Sequence, residues 1–120
     1  MNNKEIGYKG EEAVCTYLIK KGYNILCRNF CIRGGEIDII ATNDSYIAFV
    51  EVKARHENAM VSGLEAVTKS KQRLIIKTAE AFLYKNQCDL QPRFDVAEII
   101  MSDERPIKIR YIENAFDRSS

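Results

Sequence analysis

EIDIIAT (Glu36–Thr42) and YIAFVEVKA (Tyr46–Ala54) are two β-rich runs separated by Asn43, Asp44 and Ser45, and their relation decides the fold. Turn-forming residues between two strand-length runs predict an antiparallel hairpin. If the hairpin closes around Asp44 and Ser45, Asn43 faces Tyr46, Asp38 faces Glu51 and Glu36 faces Lys53. Side chains alternate along a strand, so Glu36, Asp38, Glu51 and Lys53 then point to one side of the sheet. That face continues towards the turn as Ile40 and Thr42 opposite Phe49 and Ile47. The other face, Ile37, Ile39 and Ala41 against Ala48, Val50, Val52 and Ala54, is apolar throughout and must be buried, which makes the hairpin central in its sheet. A tip at Asn43-Asp44 would instead set Asp38 opposite Phe49 and leave Asp38 and Glu51 as diagonal neighbours.

Working outward, Ile6, Ala13, Val14, Tyr17 and Leu18 recur at helical spacing, and Gly22 follows as a stop, which predicts an amphipathic helix over residues 3–21. YNILCRNF (Tyr23–Phe30) predicts a first strand, ended by a turn at Gly34-Gly35. After a loop from His56 to Gly63, Leu74, Ile75, Thr78, Ala79, Phe82 and Leu83 form the apolar stripe of a helix from Lys69 to Lys85. RFDVAEII (Arg93–Ile100) and IKIRYI (Ile107–Ile112) predict two more strands about a turn at Ser102–Pro106, with a frayed tail after Asn114. The order is helix, three strands, helix, strand, strand. A helix between the third and fourth strands implies a crossover joining parallel neighbours.

A chain of 120 residues has material for one core, so a single domain over residues 1–120 is expected. Its composition, 46% hydrophobic and 29% charged, is that of a globular protein. No apolar run approaches the roughly 18–20 residues that span a bilayer, and MNNKEIGYKGEE is too charged for a signal peptide, so a cytoplasmic location is expected. In that compartment Cys15, Cys27, Cys31 and Cys88 are expected as free thiols, and with His56 the lone histidine they compose no zinc set. The net charge of +1 hides a basic segment, in which Lys53, Arg55, Lys69, Lys71, Arg73 and Lys77 outnumber Glu57 and Glu65.

Facing residues of a hairpin have Cβ atoms about 4.5–5.5 Å apart, so carboxylates at Asp38 and Glu51 repel unless a positive charge lies between them. Mg²⁺ fits that need, because it binds through one or two carboxylates, waters and a substrate phosphate; Mn²⁺ would serve as a substitute. The matching reaction is phosphodiester hydrolysis, with Lys53 orienting the attacking water or stabilising the transition state. Glu11 or Glu12 of the first helix would complete the metal shell, with Glu5 a weaker candidate. The competing arrangement is a surface charge network in which Lys53 neutralises the acids.

GEIDII, FVEVKAR, AVTKSKQRL and RFDV, preceded by GYKGEEAVCTYLIKKGYNIL, resemble the YraN-like family of predicted bacterial endonucleases over almost the whole chain. That family is similar to archaeal Holliday junction resolvases and restriction endonucleases, the PD-(D/E)xK class, whose shared core is a mixed sheet flanked by helices in the order αβββαβ. The resemblance implies Asp38 and Glu51 as metal-binding acids, Lys53 as the motif lysine and Glu11 as the helix acid. It also implies Lys71 and Gln72 as polar residues facing the site and Arg55 as an extension of the basic rim; Lys69 and Arg73 join them as nucleic-acid-binding candidates. Asp38 follows Ile37, where the class name has proline. The expected activity is a Mg²⁺-dependent endonuclease acting on DNA, including branched or structured DNA. The alternative is a noncatalytic module that holds nucleic acid or docks on a protein with the same fold. A third reading, a metalloenzyme for nucleotides, lacks a Walker-type phosphate loop. Cutting two strands symmetrically requires two sites about a twofold axis, so the enzyme reading carries the expectation of a homodimer.

Overall fold

The structure is a computed structural model and describes residues 3–58 and 67–118. The elements are α1 (Asn3–Lys20), β1 (Asn24–Ile32), β2 (Gly35–Thr42), β3 (Tyr46–His56), α2 (Lys69–Lys85), β4 (Gln91–Ser102) and β5 (Arg105–Phe116). They build one sheet in the order β1-β2-β3-β4-β5. The β3–β4 pair is parallel and the other pairs are antiparallel, so the predicted crossover through α2 is present. Helices flank both sheet faces, an architecture compatible with a restriction-endonuclease-like core. Among the described residues no helix is long and apolar enough to cross a membrane.

The hairpin forms in the predicted register. Ile39 pairs with Val50, Ile40 with Phe49, Ala41 with Ala48 and Thr42 with Ile47. The turn is held by Asn43, whose side-chain Oδ1 accepts from the backbone N–H groups of Ser45 and Tyr46 at 2.9 and 2.8 Å, an Asx-type closure. At the end of α1, Gly22 takes φ +94°, Tyr23 N–H donates to the Leu18 carbonyl and Gly22 N–H to that of Ile19. This is a Schellman ending, and Tyr23 and Leu18 pack together in the same core cluster, as that motif favours. Thr68 caps α2 by accepting from Lys71 N–H at 3.2 Å.

Two hydrophobic layers result. Val14 and Leu18 of α1 pack on Ile39, Ala41, Ala48, Val50, Ala97 and Ile99, and Ile75, Ala79 and Phe82 of α2 pack on Ile40, Ile47, Phe49, Phe94 and Val96. Each fully buried Leu, Ile or Phe contributes about 1.5–3 kcal/mol. In β2 strict alternation fails at Ile37, which packs on the α2 side with Ile40, not on the α1 side with Ile39. Opposite it, Asn29 of β1 stands at φ +53°, and the ladder pairs Arg28 with Ile39 and Phe30 with Ile37 without an Asn29–Asp38 pair. A left-handed residue turns the strand over, so Phe30 and Ile37 reach the α2 layer and Asp38 sits at the break.

Other boundaries also depart from the expected ones. β3 continues through His56, where a loop was expected from that residue on, because Glu57 N–H still donates to the Met101 carbonyl at 3.0 Å. The rest of that expected loop beyond Asn58, and Glu65, lie outside the described residues. The β4–β5 turn tightens to Asp103 and Glu104, both at positive φ, the conformation of a two-residue hairpin whose twist suits its strands. The tail is not frayed at Asn114: β5 runs to Phe116, which is buried and stacks on Phe94 with ring centroids 5.3 Å apart. Ala54, expected on the buried face, is exposed.

Gly34 makes the β1–β2 turn at φ +85°, whereas Gly35 is required by packing. A Cβ there would lie 2.1 Å from Thr78 Oγ1, which is anchored to the Leu74 carbonyl by a 2.7 Å hydrogen bond. Gly35→Ala should therefore lift α2 from β2 and cost about 1–3 kcal/mol in chemical denaturation. Adding Thr78→Ala should return part of that loss, and a double-mutant cycle with no coupling would contradict this packing account.

Candidate active site

The β2–β3 ladder ends at Ile39–Val50, and the next bond is made by a side chain: Val52 N–H donates to Asp38 Oδ2 at 2.7 Å. The strands part there, and Asp38 and Glu51 face each other at the opening. Glu51 is 6% exposed. Burial, a hydrogen bond with Glu51 and the Glu51 charge push the Asp38 carboxyl up to about 8, against the Val52 N–H, which pulls it down. Two carboxyls forced together in a half-closed site cannot both ionise cheaply, which is the repulsion expected from the sequence.

Lys53 is partly buried beside the pair. Its pKa is lowered, first by burial and then by the Lys71 ammonium, while Glu51 and Asp38 act in the opposite sense. Lys71 reaches in from the first turn of α2 and places Nζ 3.2 Å from Glu51 Oε2. Burial pulls Lys71 down, but its contacts with Lys53 and Glu51 outweigh this and raise it. Glu51 Oε2 is buried and takes this ion pair without a directed hydrogen bond. Asp38, Glu51 and Lys71 border an open cavity of about 710 Å³, whose wall also includes Glu36, Thr68 and Leu74. Leu74, expected in the core stripe of α2, is 47% exposed and forms part of this wall.

Glu36 does not join Lys53. It pairs in register with Cys31 of β1 and stands exposed on the cavity rim, beyond the end of the β2–β3 ladder. Of the helix acids, Glu11 bears electrostatically on Asp38 and accepts from Asn29 Nδ2 at 3.2 Å and Arg28 Nη2 at 3.4 Å. Glu12 points to the rim, where it pairs with Arg28 and is held below the usual carboxylate range by that guanidinium. Glu5 is exposed. Among the described residues no three His, Cys, Asp or Glu side chains gather into a set able to hold a metal ion. The oxygen donors at the opening are Asp38 and Glu51, with Glu11 beyond them, and a pair of carboxylates is what Mg²⁺ uses when waters and phosphate complete its octahedron.

The cationic residues divide. Arg55 is committed to Glu98, with Nε 3.2 Å from Oε1. Gln72 donates to the Val67 carbonyl at 3.1 Å and so braces the start of α2 rather than reaching outward. Lys69, Arg73 and Lys77 are exposed at four-residue spacing on one helical face. Sequence reasoning missed Glu98, which is 1% exposed and opposite Lys53 in the β3–β4 register, and Arg28, the partner of both helix acids. A lone acid in the apolar run VAEII was the available signal for Glu98.

The mixed sheet that opens at the Asp38–Glu51 pair, with Lys53 and Lys71 beside it, defines an α/β protein whose candidate site lies where the β2–β3 ladder ends. The profile of "Uncharacterised protein family UPF0102" matches residues 10–99, and the chain belongs to that family. Relatives extend end to end. A UPF0102 protein of Geobacter metallireducens is 47% identical over 118 residues, covering 98% of this chain and 96% of its own. One from Clostridium perfringens is 43% identical over 116 residues, with 95% of each chain covered. One from Caldicellulosiruptor saccharolyticus is 42% identical over 118 residues, 97% of this chain and all of its own.

The raised Asp38 carboxyl predicts a pH effect on metal-free protein. A group whose folded pKa exceeds its unfolded value of 3.8 gives its full stabilisation below that value and loses it as pH rises through about 8. Wild type should lose melting temperature between pH 5 and pH 9. Asp38→Asn keeps an acceptor for Val52 N–H and carries no charge, so its melting temperature relative to wild type should climb by several degrees over the same range. A constant difference across pH would refute the assignment.

Proposed function

We propose that the protein is a Mg²⁺-dependent endonuclease of the PD-(D/E)xK class that hydrolyses phosphodiester bonds of DNA, branched or structured DNA included. The observation that carries this reading is the buried Asp38–Glu51 carboxyl pair with Lys53 beside it, at the mouth of a cavity walled by the cationic start of α2. Repelling acids are a poor way to hold a phosphate and a good way to hold a divalent cation, which in turn binds phosphate. The bound ion would supply Lewis-acid chemistry and a water of lowered pKa. Asp38 and Glu51 would hold it, with Glu11 supporting from α1. Lys53, its pKa lowered, is suited to orient the water or take part in stabilising charge on the phosphoryl oxygens. Lys69 and Arg73 would grip flanking phosphates, which gives affinity without base readout.

Titration calorimetry with Mg²⁺ and Mn²⁺, followed by cleavage assays on linear, single-stranded and four-way-junction DNA, tests the reading. Asp38→Ala and Glu51→Ala should each lose metal binding and cleavage together. Wild type that takes up no metal even with DNA present would end the catalytic reading in favour of a binding module.

Lys53→Ala should lower the cleavage rate about 10²–10³-fold while DNA affinity changes by less than about tenfold. Equal losses in binding and cleavage would make Lys53 a phosphate contact instead.

A further inference from the structure

We infer that Lys71 is an exchangeable internal cation, which neutralises Glu51 in the metal-free protein and leaves it when a divalent ion enters. The inference rests on the metal-binding reading of the Asp38–Glu51 pair and adds a residue to it that acts before any substrate arrives. Its basis is geometric. The Lys71 ammonium lies 3.2 Å from Glu51 Oε2, and the two side chains differ sharply in exposure, 42% for Lys71 and 7% for Glu51. The carboxylate is fixed inside the protein, and the cation that balances it comes from outside on a long flexible stem.

Charge counting gives the direction of exchange. Two carboxyls, Asp38 and Glu51, face two lysines, Lys53 and Lys71, so the cluster holds no excess of negative charge as it stands. A divalent ion between the carboxylates adds two positive charges within a few ångströms of both ammonium groups. One of them must withdraw. Lys53 belongs to β3, whose backbone is fixed in the parallel ladder opposite Glu98. Lys71 is on the first turn of α2, beside an open cavity into which it can move.

The helix explains why Lys71 needs an anion at all. The first turn of α2 holds no acidic residue and carries Lys69 and Lys71, cations at the positive end of the helix dipole. That placement is unfavourable unless an anion compensates it. Glu51 compensates it in the metal-free state, and a phosphate in the cavity would do so once the metal has taken Glu51 over. Arg28 provides the contrast: it also pairs with a proposed metal acid, Glu11, but is held as well by Glu12 and lies over the Tyr8 ring with 4.9 Å to the centroid, so it is anchored where Lys71 is not.

Calorimetric titration of Mg²⁺ and Mn²⁺ into wild type, Lys71→Met and Lys71→Arg, without nucleic acid, tests the inference. Lys71→Met has no ammonium to displace and should bind metal roughly five- to tenfold more tightly than wild type, whereas Lys71→Arg should return to near wild-type affinity. In metal-free buffer Lys71→Met should melt below wild type, and saturating Mn²⁺ should close the gap. Wild type that binds metal with an affinity that Lys71→Met leaves unchanged or weakens would overturn the inference and leave the metal site standing. No binding heat from any of the three proteins would overturn both.

Discussion

A side chain completes the central hairpin where the backbone stops. Val52 N–H would be an orphaned donor once the β2–β3 ladder ends at Ile39–Val50, and Asp38 Oδ2 accepts from it at 2.7 Å. An unmet buried amide costs about 1–3 kcal/mol, so this bond allows the strands to separate without that penalty. The separation admits solvent between β2 and β3 and exposes Glu51 to a cavity while leaving the rest of its side chain buried. It also fixes Asp38 Oδ2 in a structural role. The position of Asp38 depends in turn on Asn29, whose left-handed backbone breaks the β1–β2 pairing beside it.

From this opening the charge arrangement follows. Asp38 and Glu51 are too close and too buried to be ionised independently, and the sheet offers them Lys53 on the same face, Arg55 being paired with Glu98. The second must come from another element, and α2 provides it because Gly35 lets that helix approach β2 so closely that even a methyl group would collide with Thr78. Lys71 reaches Glu51 only with α2 at this distance. A packing feature remote from the acids thus sets their electrostatics.

Much of this was legible in the sequence, for identifiable reasons. The hairpin register followed from Asn43, Asp44 and Ser45, because Asn43 closes the turn with its own side chain, and the bounds of α2 followed from its apolar stripe, which the structure begins at the Thr68 cap. Facing of Asp38 and Glu51 followed from the register. The pairing of Glu36 with Lys53 failed, since register predicts contacts only while strands remain paired. The move of Ile37 to the α2 layer was hidden because Asn29 gives no local sign that it will adopt positive φ. Glu11 and Glu12 are adjacent, so only the rotation of α1 against the sheet, set by Val14 and Leu18, decides which one turns towards Asp38. Lys71 is expected to face the site and to bind nucleic acid, but its partner Glu51 is not legible, because a contact between α2 and β3 is a tertiary fact with no local signature.

The other face of the same sheet shows what buried charge looks like when directed bonds hold it. RFDV places Arg93 and Asp95 on β4, and both are buried, at 7% and 0% exposure. Arg93 Nε and Nη2 donate to the Asp95 carboxylate, Tyr111 O–H donates to Oδ2 at 2.6 Å, Asn114 N–H donates to Oδ1 at 2.9 Å, and the guanidinium packs over the Tyr46 ring. Directed bonds from β4 and β5 close that network, and removing Arg93 strands a buried carboxylate, at a cost of several kcal/mol. At the Asp38–Glu51 end the balancing groups are lysines, compact charges on flexible stems that satisfy a carboxylate by proximity rather than by a fixed fork. Such a contact holds the carboxylate by charge, without a geometrically fixed pair of bonds. The two clusters on β3 and β4 differ less in how much charge they bury than in how firmly its partners are held: by directed bonds around Asp95, and by the proximity of a half-exposed lysine at Glu51.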